Sequence, residues 1–380
     1  FDRYNMADYY KGVKWCIKLC NFLGVNPFKE NNIIQTLLIT YNLVSLMGSI
    51  STTVMFIFSN GDLSNIRYLI DATNNMLKVP NGSLKLLTLL TKKSAIRDFI
   101  NETKNRFWES PETEEIKRSE RFATFVMKFY FYCMLLCVLS SLIKPIIAGE
   151  ILSTYNHYKP HSVPRYVFAI IGNTSSIICV MSMVGLDTLI FVLLMRVEVQ
   201  FRILNYHLEN LFNFDEQNNV YSPANFSQKL KKCVDHQNYL NEFVNRMITT
   251  FSVVTLVTFG LTIVSMSLRM YILSGDNLLN YKIEALFHLI AGNAVIGIGY
   301  CIPSEAVMNQ ADKISESIYF SNWYNYPQET KYVLQILQKE TKPLRITAGG
   351  LFVINLERFM IIEKTIISYC MFLRTMEIAK

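Results

Sequence analysis

A chain of 380 residues with 51% hydrophobic and 18% charged side chains departs from soluble composition, in which about 25% are charged. Its 25 Phe, 21 Tyr and 16 Met against 10 Pro exclude disordered, collagenous and proline-rich classes. The net charge of +7 flanks long uncharged apolar blocks, which predicts a polytopic membrane protein rather than a soluble enzyme or a nucleic-acid binder.

Residues 1–32 carry Arg3, Lys11, Lys14, Lys18 and Lys29 without a clean apolar run, so they read as a cytoplasmic segment and not as a signal peptide. A helix needs roughly 20 apolar residues to cross a bilayer. Ile33 to Ser59 is uncharged and predicts span one, and Leu63 to Thr91 predicts span two despite Arg67, Asp71, Lys78 and Lys85. Span three runs from about Phe122 to Ile143. Span four is uncharged from Tyr166 to Leu186, after which Asp187 precedes a second apolar run to Met195. Met247 to Leu268 predicts span five and Ala285 to Ser304 span six. Span seven, about Ile346 to Leu373, contains Glu357, Arg358, Glu363 and Lys364.

With these seven spans, 24 Lys and Arg fall in the N-terminal segment and the 92–121, 195–246 and 309–345 connections, against 8 on the other side. The positive-inside bias therefore predicts a cytoplasmic N-terminus and an extracellular C-terminus. The inner connections are also the long ones. Phe201, Leu204, Leu208 and Leu211 continue span four at helical spacing, and Ile314 to Leu337 repeats Ile, Tyr and Leu likewise. Both stripes need protein to cover them, which predicts a cytoplasmic helical anchor. The eight cysteines show no CxxC or Cys/His metal spacing, and most read as small buried hydrophobes.

No GxSxG, HExxH or phosphate-cradling glycine loop occurs, and no catalytic residue, metal or cofactor is expected. Gly297 and Gly299 read as small residues for close helix packing. Glu357, Arg358, Glu363 and Lys364 form two adjacent opposite-sign pairs, consistent with a water-filled path or with mutual neutralisation in a protein contact. Thr365, Ser368, Phe372 and Met376 form a stripe down the same helix, and beside water Phe372 and Met376 would make an apolar constriction. Asp187 predicts a structural partner, such as a basic residue on a neighbouring helix, ahead of a transported-ion site. His288 reads as a structural histidine ahead of a ligand contact. The outer halves of spans two, three, four and six are apolar with sparse hydroxyls, including Thr73, Ser140, Ser141 and Ser175. That lining suits a small apolar ligand with one polar group, or ordinary helix packing.

The last third of the chain carries a more specific pattern. Tyr300-Cys301, Ser304-Glu305, Ile318-Tyr319 and Trp323-Tyr324 lead out of span six. Lys342-Pro343-Leu344, Thr347-Ala348-Gly349-Gly350, Phe352, Asn355-Leu356-Glu357 and Phe359 follow, then Lys364-Thr365, Ser368-Tyr369 and Leu373-Arg374. In order and spacing this resembles the insect odorant receptor family, as does Gly185-Leu186-Asp187 in span four. The sister gustatory receptors favour Thr-Tyr and a downstream Gln in span seven, where this chain has Ser368-Tyr369.

The resemblance implies an all-α membrane protein of seven transmembrane helices, forming four-subunit cation channels in which the seventh helices line a pore. It divides a single receptor-channel domain, 1–380, into the cytoplasmic segment 1–32, spans one to six with an outer ligand pocket at 33–305, cytoplasmic anchor helices at 306–345 and the pore-lining span at 346–380. The chain lacks the long inner insertion of the co-receptor type and has Phe372 where that type has a smaller gate residue, so it resembles a tuned, odorant-binding subunit. Depth and resemblance together nominate Thr73, Leu77, Leu139, Ile143, Ile171, Ser175, His288, Ala291 and Val295 for the pocket, and Thr365, Ser368, Phe372 and Met376 for the pore and gate. The expected partners are odorant co-receptor subunits, a small volatile organic ligand and membrane lipid, in the plasma membrane of an olfactory neuron dendrite. A homomeric gustatory-type channel and a G-protein-coupled receptor are the competing readings. The latter needs the opposite orientation, in which the sequons at Asn101 and Asn225 could carry glycan.

Overall fold

The computed structural model describes residues 13, 16–28, 32–59, 66–109, 163–212, 223–275, 279–326, 328, 330–339 and 343–378, with further positions inside 114–139. Helix α1 is Ile33–Ser59, α2 Ile66–Thr91, α3 Lys93–Asn105, α4 Val163–Glu209 and α5 Pro223–Ser274. Helix α6, Leu279–Asn293, runs directly into a π-helix at Ala294–Cys301 and then α7 at Ile302–Asp312. Short helices α8 (Ile314–Tyr319) and α9 (Thr330–Lys339) flank a 3-10 turn at Trp323–Asn325. A two-stranded hairpin, β1 Thr347–Ala348 and β2 Phe352–Val353, precedes α10, Leu356–Ile378. The described positions between 114 and 139 are helical, and those from Phe122 to Leu139 are not among the stretches counted below as long and apolar enough to cross a membrane.

Among the described residues, four stretches are long and apolar enough to cross a membrane: Ile33–Ser51, Thr174–Glu209, Asn225–Ser274 and Lys282–Asn325. Helix α4 is central, packing against α1, α2, α5, the π-helix, α7 and α8. Its length has the reason anticipated from the pattern. Phe201, Leu204, Leu208 and Leu211 are all buried, so the apolar stripe is covered by protein over the helix's last turns.

Close approach is made possible by glycine at two crossings. A Cβ on Gly82 would lie 2.7 Å from the Cα of Cys179, so α2 rests nearly backbone-to-backbone on α4. A Cβ on Gly297 would lie 3.2 Å from Phe359 Cζ, which lets the π-helix seat the ring of α10. That is the packing role expected of this glycine.

Three local expectations are corrected or refined. Span seven does not begin near Ile346. Gly349 and Gly350 both hold positive φ, 60° and 69°, and Leu351 N–H donates to the Ala348 carbonyl at 3.0 Å. Both left-handed positions fall to glycine within a three-residue loop that pairs Ala348 with Phe352, and the flanking Thr and Val favour strands, so a hairpin forms and the helix starts at Leu356. Second, the 314–337 stripe, expected within the anchor helices, is divided into α8, the 3-10 turn and α9, with Asn322 and Asn325 at the break. Third, span six is not uniformly α-helical. Ile302 N–H donates to the Gly297 carbonyl, five residues back, at the end of the π-helix.

The segment after α3 is pinned by side chains. Gln200 Nε2 donates to the Trp108 carbonyl at 2.9 Å while its Oε1 accepts the Trp108 N–H at 2.8 Å. The same Oε1 lies 3.1 Å from His236 Nε2, so this nitrogen carries the proton, and the His236 ring stacks on Trp108 at 3.9 Å. Nearby, Arg246 makes a two-pronged bond to Glu102, Nη1 to Oε1 at 2.9 Å and Nη2 to Oε2 at 2.6 Å, and Tyr239 Oη donates to Oε2 at 2.8 Å. The Arg246 guanidinium holds the Glu102 carboxyl below the usual carboxylate range. Cys16, Cys20, Cys133, Cys179, Cys233, Cys301 and Cys370 are buried free thiols, in line with their reading as small hydrophobes.

Candidate functional site

Among the described residues Asp187 is a charge with no exposed surface, and it is paired. Lys85 Nζ of α2 donates to both Asp187 carboxylate oxygens at 2.7 Å, and Tyr300 Oη of the π-helix donates to Oδ1 at 2.6 Å. Lys85 is 1% exposed and Asp187 0%. In so dry a setting a lone carboxylate is untenable, so the three groups hold three helices in one register. The basic partner expected for Asp187 is thus Lys85, although Lys85 was read only as an interruption of span two. Beside the cluster, Thr258 Oγ1 of α5 donates to Asn81 Oδ1 of α2 at 3.2 Å.

Packing continues from this cluster to α10. Tyr300 meets the Phe259 ring edge-on at 5.7 Å, Phe259 meets Phe352 of the hairpin at 5.4 Å, and Arg358 of α10 lies 5.6 Å over Phe352. The start of α10 is capped twice. Asn355 Oδ1 accepts the Arg358 N–H at 2.8 Å, and Glu305 Oε2 of α7 accepts the Leu356 N–H at 2.6 Å. At the other end, Arg374 lies 4.4 Å over the Tyr271 ring, and it donates through Nη2 to the Tyr271 carbonyl at 2.9 Å and through Nε to Ser274 Oγ at 3.1 Å. Helix α10 is therefore tied to the bundle at both ends.

Its length is two-faced. Ile362, Ile366 and Cys370 are buried against the bundle. Met360, Ile361, Ile367, Met371, Phe372 and Met376 are exposed, Phe372 by 59%. Of the nominated pore residues, Ser368, Phe372 and Met376 lie on the exposed side, while Thr365 is half-buried and donates to the Ile361 carbonyl at 2.8 Å. Glu357 and Lys364 are exposed, and Glu363 has a buried carboxylate oxygen with no hydrogen-bond partner among the described residues. Below this exposed face a polar cavity of about 520 Å³ is lined by Glu305, Asn309, Asp312, Arg345, Glu357 and Arg358. Of these lining residues, Glu357 and Arg358 stand out in the sequence as charges in an apolar span and Glu305 belongs to the motif that leads out of span six, whereas Asn309, Asp312 and Arg345 carry no such signal.

The nominated pocket residues are distributed over packed elements. Thr73 and Leu77 are half-buried on α2, and Ser175 is fully buried on α4, which packs on α2. Ala291 of α6 and Val295 of the π-helix are buried, and the π-helix also packs on α4. His288 is half-buried, and its Nδ1 lies 3.0 Å from the Glu284 carbonyl, so Nδ1 carries the proton and donates along the helix. Leu139 is 41% exposed. Ile171 lies on α4, in a turn whose side chains are outside the described set, and Ile143, Ser140 and Ser141 also lie outside the described residues.

Residues 65–367 match the family described as 7tm odorant receptor. The fold is similar to that of the insect olfactory receptor OR5 from Machilis hrabei. The structure of that receptor in complex with eugenol superposes with a TM-score of 0.78 at 14% identity, covering 97% of this chain and 100% of the other. A second structure of the same receptor gives a TM-score of 0.78 at 14% identity, covering 96% and 99%. No curated protein sequence matches this chain.

Proposed function

The chain belongs to the 7tm odorant receptor family, and from that premise we propose that it is the odorant-binding subunit of a ligand-gated, nonselective cation channel. In this reading seven helices span the plasma membrane of an olfactory neuron dendrite, with the N-terminus cytoplasmic and the C-terminus outside. The observation that carries the channel reading is the two-faced α10. Its inner face is packed and its other face leaves Phe372 and Met376 uncovered by the chain's own residues. In a bilayer an apolar face can simply meet lipid, so what favours a pore is that the charged Glu357 and Lys364 are exposed on the same helix, where lipid would not solvate them.

Four such subunits around an axis would bring these exposed faces toward one path, with Phe372 and Met376 forming an apolar constriction that gates by dewetting. The polar cavity beside Glu357 would continue the path toward the cytoplasm. The ligand pocket lies among Thr73, Leu77, Leu139, Ile143, Ile171, Ser175, His288, Ala291 and Val295. A receptor of this fold is known in complex with eugenol, which supports a small organic ligand here. An odorant gates by binding the open arrangement more tightly than the closed one. The Asp187–Tyr300–Phe259–Phe352 packing offers a physical route from pocket to α10.

The partner we propose is a co-receptor subunit, with which the chain forms a heteromer, most simply a tetramer. The test is an odorant panel on cells expressing the chain alone, the co-receptor alone and both. The proposal expects odorant-evoked cation current only from the pair. Robust evoked current from the chain alone would replace the heteromer with a homomeric channel.

A further inference from the structure

We propose that Glu305 is a positioning residue that passes movement of the sixth span to the start of the pore-lining helix. The inference rests on the channel reading above and adds to it a hydrogen-bonded link, separate from the Asp187–Tyr300–Phe259–Phe352 packing. Helix α6, the π-helix and α7 form one unbroken helical run from Leu279 to Asp312. The nominated pocket residue His288 and Glu305 both stand on it, roughly 25 Å apart at 1.5 Å per residue.

One face of α7 grips the segment that leads into α10. Glu305, Met308 and Asp312 follow one another at helical spacing, so they share that face. Glu305 Oε2 accepts the Leu356 N–H at 2.6 Å, Met308 Sδ accepts the Ile346 N–H at 3.4 Å, and Asp312 Oδ2 accepts from Arg345 Nη1 at 3.1 Å. The Ile354 N–H in turn donates to the Ile346 carbonyl at 2.9 Å, which closes the hairpin between the gripped ends. A displacement of α7 therefore reaches the first residue of α10 through bonds at both ends of the hairpin.

The bond to Leu356 is more than an ordinary cap. Asn355 Oδ1 already accepts the Arg358 N–H, which is the amide that a capping side chain serves in a first turn. The first amide of a helix has no partner inside it, and where it is exposed, water suffices. Here its partner is instead a carboxylate of another helix, 51 positions earlier in the chain. A negative charge at the amino end of a helix is favoured by the helix dipole, and Arg345 pairs with Asp312, not with Glu305. The carboxylate thus fixes where α10 begins relative to α7.

Each side of the bond can be removed by itself. Glu305→Ala takes away the acceptor. Leu356→Pro takes away the donor, because proline has no N–H and is well accepted at the first position of a helix. Leu356→Ala keeps the N–H and controls for the lost side chain. The measurement is odorant-evoked current per receptor at the surface of cells expressing the full chain with the co-receptor. Glu305→Ala and Leu356→Pro should each weaken gating by roughly 2- to 13-fold, the effect of one lost hydrogen bond, with the order of odorant potencies kept and Leu356→Ala near wild type. The double variant should be no worse than the worse single one, since both changes break the same bond. A merely structural cap would lower the number of receptors at the surface and leave the current per receptor unchanged, and that result overturns the proposal, as do losses that add in the double variant. If Leu356→Pro does not reach the surface, Glu305→Gln, which keeps an acceptor oxygen, should retain more of the response than Glu305→Ala, and equal losses overturn the proposal. Absence of evoked current from the wild-type pair would instead overturn the channel reading, and this inference with it.

Discussion

Lys85 and Asp187, 102 positions apart in the chain, meet inside the bundle with both carboxylate oxygens 2.7 Å from one ammonium. Removing one partner strands a buried charge, which costs about 3–5 kcal/mol, whereas replacing both by apolar groups is far less damaging. Lys85→Met and Asp187→Leu are each expected to lower the thermal stability and yield of the purified receptor severely. The double variant should recover much of that loss. If the double variant is as unstable as the worse single one, the pair is not a closed electrostatic unit.

The crossing of α2 and α4 yields a steric prediction. Gly82→Ala places a methyl 2.7 Å from the Cα of Cys179, where neither backbone can yield easily. Overpacking of this kind costs about 1–3 kcal/mol. Gly260→Ala is the matched control, because a Cβ there meets nothing within 4 Å. Melting curves of the two variants should separate, with Gly260→Ala near wild type, and equal stability would place the crossing wrongly.

Glu102 supplies a pH dependence. Its carboxyl is held below the usual range chiefly by Arg246, so the folded state favours its charged form. The stabilisation is therefore fully present above the ordinary carboxylate value of about 4.3 and disappears as pH falls through the lowered folded value. Because Arg246 is partly exposed, the contribution is modest, about 1 kcal/mol or less. The difference in melting temperature between wild type and Glu102→Gln should stay constant from pH 8 to about pH 5 and shrink below that. A difference that already shrinks between pH 8 and pH 6 contradicts this assignment.

These features were unequally legible in the sequence. The buried stripe of Phe201, Leu204, Leu208 and Leu211 was readable because period 3.6 marks one helix face whatever covers it. A partner for Asp187 was readable from the cost of burying charge, but not its identity, since the register between two helices is set by long-range packing such as the Gly82–Cys179 contact. The hairpin at Gly349–Gly350 had a signal, paired glycines between strand-forming residues, but hydrophobicity alone merged it into the helix. The π-helix had no composition that distinguishes it from an α-helix. The candidate pocket was least legible, because a pocket is space left by several helices and no single stretch encodes it.

His288 makes the ligand-reading claim specific. A buried hydrogen bond to a ligand is worth about 0.5–1.5 kcal/mol, so losing one shifts potency by roughly 2- to 13-fold. In the heteromer, His288→Phe should weaken alcohol and ester odorants more than hydrocarbons of similar shape. Nδ1 donates to the Glu284 carbonyl, so the imidazole is held in a fixed orientation along its helix. Equal shifts for all three odorant classes would leave His288 a structural residue.

The central claim is that the ligand and the ions use different parts of one subunit, with the exposed face of α10 lining the path. Basal current of Phe372→Ala in the heteromer, recorded with the odorant ranking, tests it most directly. Phe372 is 59% exposed, so its truncation should leave the fold intact while easing wetting of the constriction. The account predicts raised basal current or altered ion selectivity with the order of odorant potencies unchanged. Basal current, selectivity and pore block all equal to wild type would show that Phe372 does not face the ion path.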